Sequence, residues 1–144
     1  MGLTMGTPPK NPEQLNKVVV AFLNGGRIKG YAYDFSPMRE SFNLLPQDNP
    51  HQGEAVKVEL KDLKAVFFVW DFGGHAEYNE DSHADSSLHG RRIEVTFNDG
   101  EKLVGRTEGY NAQKLGFFMF PVDPRSNNIR IFVITKNARH VRLL

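Results

Sequence analysis

From residue 17 onward, apolar side chains fall in short runs and at alternate positions, and no stretch sustains a helical period. Residues 17–23 form a β-branched run, and a second strand is expected over residues 28–32, with Ile28, Gly30 and Ala32 sharing one face. The turn between them is Asn24, Gly25 and Gly26, residue types that tolerate positive φ, so the chain opens on a β-hairpin. Further strands are predicted over 41–46, 56–60 and 65–69; the first of these stops at Pro46, which cannot donate to a ladder.

The same pattern then returns. Val18 to Val69 lies on Ile93 to Leu144 at an offset of 75 residues without a gap. Identities fall on Gly25/Gly100, Gly30/Gly105, Phe42/Phe117, Pro46/Pro121, Val58/Val133 and Val66/Val141, among others. They mark turns, bends and alternating apolar positions rather than nucleophiles, acids or metal ligands, so a folding unit has been duplicated. Gly30 and Gly105 predict a sharply bent second strand in each copy, because a missing Cβ permits close backbone approach. The expected organisation is a tail over residues 1–16, a first copy over 17–70, a polar acidic connector over 71–91 and a second copy over 92–144. Each copy is so small that it must lean on the other or on another chain.

Composition narrows the class. Of 144 residues, 40% are hydrophobic, and no apolar run reaches the length of a membrane-spanning helix. The first residues lack the basic start and apolar core of an export signal, and there is no cysteine, so a cytoplasmic protein without disulfides or thiolate metal sites is expected. The formal net charge is +1. It divides unevenly between a mildly basic second copy and an acidic connector, too weakly to demand a nucleic-acid partner.

The residues from Leu23 to Gly30 followed by Asp34 and Phe35, then Phe42 to Leu45, then Leu60 to Val66, resemble the two-part signature of Sm-like proteins, the superfamily that includes the Hfq-like RNA chaperones. The second copy resembles a weaker version, at Asn98 to Gly105 and Ala138 to Val141. The whole chain is also similar to a bacterial family with two such halves. The resemblance implies an all-β fold of two tandem five-stranded Sm/SH3-like barrels packed as a pseudo-symmetric pair. It does not carry the RNA site across: where the Hfq-like pattern has Tyr-Lys-His, this chain has Leu60, Lys61, Asp62 and Thr135, Lys136, Asn137.

Sm-like barrels join through the fourth strand of one and the fifth of the next, which implies that residues 65–69 meet residues 131–135. The two copies differ there in a telling way. Lys57 and Glu59 become Phe132 and Ile134, an outward face turned apolar, so Phe67, Val69, Phe132 and Ile134 are the expected inter-barrel contacts. The free edges would then carry Lys57 and Glu59 at one end and His140 and Arg142 at the other, charges that discourage ring growth. A homo-oligomer stays open as an alternative.

Candidate chemistry is sparse. Arg27, Lys29, Tyr31, Tyr33, Lys61, Arg106, Tyr110 and Lys136 interleave cations with aromatic rings and form a candidate surface for a partner protein or for RNA. His75, His83 and His89 with Asp81 and Asp85 have no compact ligand spacing, so no metal is expected. Asp85 to Gly90 fits half of the PilZ signature for cyclic di-GMP but lacks its arginine partner motif. Ser86, Ser87, His89 and Asp85 are sequence neighbours, whereas a triad is assembled across a fold, so no catalytic residue and no cofactor are assigned. The expected function is a non-catalytic binding or adaptor module that meets a protein through sheet edges or an aromatic surface; the alternative is an Sm-like RNA-binding protein, and a cyclic di-GMP-responsive module comes third.

Overall fold

The computed structural model describes residues 15–48, 54–74 and 90–144. It is all-β, with ten antiparallel strands and no α-helix among the described residues. The first half contributes β1 (Asn16–Phe22), β2 (Arg27–Ala32), β3 (Ser41–Pro46), β4 (Val56–Glu59) and β5 (Leu63–Val69). The second contributes β6 (Arg91–Phe97), β7 (Lys102–Thr107), β8 (Gly116–Pro121), β9 (Asn128–Ile134) and β10 (Ala138–Leu143). One-turn 3-10 segments, Leu60–Asp62 and Thr135–Asn137, join β4 to β5 and β9 to β10. The strand expected to run through Leu60 therefore stops at Glu59, and Leu60 turns inward instead.

The duplication holds at the level of register. Val18 pairs with Gly30 and Ile93 with Gly105; Val20 pairs with Val66 and Val95 with Val141; Phe42 pairs with Val58 and Phe117 with Val133. Both opening turns place glycine at positive φ, 92° for Gly25 and 90° for Gly100. In each, the side chain just before the glycine closes the turn: Asn24 Oδ1 accepts from the Gly26 N–H at 2.8 Å, and Asp99 Oδ1 from the Glu101 N–H at 2.9 Å. A Cβ on Gly30 would stand 2.9 Å from Leu44 Cγ, and one on Gly105 2.8 Å from Met119 Cε, so both glycines let the bent second strand press on the third.

All ten strands belong to one sheet, in the order β10-β6-β7-β8-β9-β5-β1-β2-β3-β4. The sheet is open, with β10 and β4 at its ends. The halves meet where β5 pairs with β9, Ala65 opposite Val133, Val66 opposite Phe132 and Phe67 opposite Ile131. Alternation then sends the two faces of each central strand into different cores. Val66 and Phe68 face the first core, where they meet Phe132 and Ile134 from the second half. Ala65, Phe67 and Val69 face the second core, beside Ile131 and Val133. Each core is thus completed by the other half, which answers the size problem posed by either copy alone.

Polar ties lock the junction. The buried Lys64 ammonium donates to Asp99 Oδ2 at 2.8 Å and to Glu101, and stands 4.7 Å from the Phe97 ring centroid. Asn137 Nδ2 donates to the carbonyls of Lys61 and Leu63 at 3.0 and 2.7 Å, so the second 3-10 turn clasps the first.

Candidate functional site

The residues expected to form one aromatic and basic surface are held in several separate places. Arg27, Lys29 and Tyr31 lie on β2, on the side of the sheet that serves the second core. The Arg27 guanidinium sits 5.6 Å from the Phe67 centroid. After β5 the chain folds back and places Phe72 there: Lys29 Nζ donates to the Phe72 carbonyl at 2.7 Å, and Tyr31 meets the Phe72 ring edge-on at 5.2 Å. Tyr33 stands nearby in sequence, its phenol pKa raised by burial and by the Asp34 carboxylate. In the second half, Arg106 Nη1 donates to the Gly90 carbonyl at 2.6 Å, and Tyr110 packs edge-on against Phe117 at 4.9 Å. Much of the expected surface is therefore engaged in intramolecular contacts.

Lys61 and Lys136 do come together. They occupy equivalent places in the two 3-10 turns, and both line a cavity of about 460 Å³ with Lys114, Glu40 and Glu59. Lys61 lies 3.9 Å from Glu59, an exposed pair of little energetic weight.

A second recess is not among the features expected from the sequence. It is about 380 Å³, walled by Phe118, Phe120, Phe132 and Met38, with Arg130 and Lys114 on its rim. The Arg130 guanidinium lies 4.5 Å from the centroids of both Phe68 and Phe118, and burial lowers its pKa without removing its charge. Phe35 closes the inner side with edge contacts to Phe42, Phe68, Phe118 and Phe132. A signal does exist where the two copies diverge: Phe118 replaces Asn43, whose backbone and side-chain N–H groups are tied to Asp34 at 2.6 and 2.7 Å.

The strands at the two ends of the sheet also carry exposed side chains. On β4, Val56, Lys57 and Glu59 are exposed and Val58 is buried. On β10, Arg139, His140 and Arg142 are exposed, and Arg142 pairs with Glu94 at 3.4 Å. Val141 is only half-buried there, and Leu143 is 39% exposed. No group of three or more His, Asp or Glu side chains among the described residues could hold a metal ion. His75, His83, His89, Asp81, Asp85, Ser86 and Ser87 lie outside the described residues, as do most of the connector and the tail.

The model of the Family of unknown function (DUF6982) matches residues 14–144, and the chain belongs to that family. No curated protein and no solved structure matches it.

Proposed function

We propose that this member of the family is a non-catalytic protein-binding module built from two fused Sm-like barrels, working through the open end of its sheet. The repeated strand order and register around two cores support the barrel reading. One asymmetry carries the binding reading. Beyond β5 the first core is closed by β9, with Phe132 and Ile134 at 0% and 1% exposure; β5 covers one flank of the second core, but among the described residues no strand lies beyond β10, and Leu143 is 39% exposed. An unpaired edge beside incompletely covered apolar side chains is the arrangement that strand-adding partners use. The aromatic recess at Phe118 and Phe120 offers a second protein contact.

RNA binding is the competing reading, favoured by the meeting of Lys61, Lys114 and Lys136 at one cavity. Titration with single-stranded RNA at about 50 and about 200 mM salt separates the two. Affinity that is substantial and falls steeply with salt supports RNA; its absence at the higher salt, with retained peptide binding, supports the protein module.

A further inference from the structure

We propose that the free edge of β10 takes up an extended segment of a different protein in which apolar residues alternate with acidic ones. This rests on the protein-binding reading and adds to it the strand, the register and the partner's chemistry.

The molecule contains its own template. At the junction β9 lies antiparallel to β5, with Phe132 opposite Val66, Val133 opposite Ala65 and Ile131 opposite Phe67. β10 is the counterpart of β5: Val141 sits on β6 opposite Val95 as Val66 sits on β1 opposite Val20. Yet Val66 and Phe68 are 0% and 2% exposed, while their counterparts Val141 and Leu143 remain half-buried and 39% exposed. A strand laid on β10 as β9 lies on β5 would place one side chain opposite Val141. The next side chain on that face, two residues further along, would enter where Ile134 enters the first core. Both must be apolar.

The other face of the same strand meets different groups. His140 stands where Ala65 stands, and Arg142, paired with Glu94 at 3.4 Å, where Phe67 stands; both are exposed, as is Arg139 at the irregularity that precedes them. The residues flanking the first apolar side chain would face the Arg142 guanidinium and the His140 ring, N–H donors that favour carboxylates. A second copy of this chain fits at neither of its edges. Its β4 carries Lys57 and Glu59 in the places of Phe132 and Ile134 and would bring charge into an apolar core, and its β10 would set Arg139 and Arg142 against the same groups of its mate.

The test uses the full chain and an acetylated, amidated peptide Gly-Ser-Glu-Phe-Glu-Ile-Ser-Gly, with binding read by amide hydrogen exchange and by NMR shifts. The expected result is saturable binding that slows exchange across residues 138–143 and leaves 56–59 unchanged. Replacing the peptide's Phe and Ile by Ser abolishes it, and His140→Glu, an exposed change, weakens it by about two- to fivefold. Shifts centred on β4 or on Phe118 and Phe120 overturn the β10 assignment while the protein-binding reading stands. No binding at millimolar peptide overturns the assignment, and salt-sensitive RNA binding in that same protein overturns the underlying reading too. Growth in mass with concentration that His140→Glu suppresses shows a second copy at the edge and also overturns it.

Discussion

Val66 of β5 lies directly opposite Phe132 of β9, and both side chains are fully buried in the core of the first half although Phe132 belongs to the second. The corresponding residue of the first half is Lys57, exposed on β4 at the end of the sheet. Position in the sheet explains the divergence: the same strand is interior in one copy and an edge in the other.

Phe132→Ala is therefore expected to destabilise the whole chain, by about 3–5 kcal/mol for the loss of a buried phenylalanine. Phe132→Lys, which restores the first copy's residue, should cost more because it buries an unpaired ammonium. Guanidinium unfolding monitored by circular dichroism measures both. A Phe132→Lys protein as stable as the parent would show that the two halves do not share a core.

Lys64 yields a pH prediction. Burial disfavours its ammonium, but hydrogen bonds to Asp99 and Glu101 outweigh that and raise its pKa above the usual lysine value. Hydrogen bonds from Lys64 and from the Glu101 N–H hold the Asp99 carboxyl below the usual carboxylate range. The Asp99 contribution is present above its unfolded pKa and disappears as pH falls through the lower folded value. The Lys64 contribution is present below its ordinary pKa and disappears as pH rises through the raised one. The stability lost in Lys64→Met should be greatest between about pH 5 and pH 10 and shrink at both ends, as thermal melts of the two proteins would record. A difference that stays constant from neutral pH down through the carboxylate range would contradict this.

The paired glycines separate two kinds of constraint. Gly100 has a φ of 90° with open space where a Cβ would project, whereas Gly105 lacks a positive φ but would bring a Cβ to 2.5 Å from the Phe120 carbonyl oxygen and 2.8 Å from Met119 Cε. Gly100→Ala should cost about 1 kcal/mol through backbone strain alone. Gly105→Ala should cost about 1–3 kcal/mol through overpacking against the β8 backbone, which shortening a side chain cannot relieve. Chemical denaturation of the two variants checks the ordering, and a Gly105→Ala protein as stable as the parent would show that β8 yields freely to the added methyl.

The strands, the turns at Gly25 and Gly100 and the bends at Gly30 and Gly105 were legible because each has a local cause: alternation, positive φ or a missing Cβ. The meeting of residues 65–69 with the fourth strand of the second copy was implied by the resemblance to Sm-like barrels and agrees with Phe132 and Ile134 standing where Lys57 and Glu59 do; the pairing runs over residues 128–133 rather than 131–135, because Thr135 already belongs to the 3-10 turn. Long-range contacts erased other signals. Lys64 reads as a solvent residue until Asp99 and Glu101 arrive from the other half. Arg27, Lys29 and Tyr31 read as an open face because nothing in β2 announces that Phe72 will fold back over it. Arg130 and Phe118 gain their meaning only from Phe68, a neighbour supplied across the junction.

The charges at the sheet ends should keep the chain a single molecule. Transferring the β5 and β9 register to β10 and β4 of a neighbour would set Lys57 near Val141 and drive Glu59 toward the second core. It would also turn His140 and Arg142 toward the neighbour's apolar interior. Sedimentation should accordingly report a mass near 16.3 kDa. Rewriting the edges to match the junction, with Lys57→Phe and Glu59→Ile at one end and His140→Ala and Arg142→Phe at the other, removes each of those penalties and leaves the backbone edges unpaired. That variant is expected to form rings or filaments whose growth depends on concentration. Continued monomer behaviour would mean that the curvature of the sheet, not its charge, keeps its two ends from pairing with those of a neighbour.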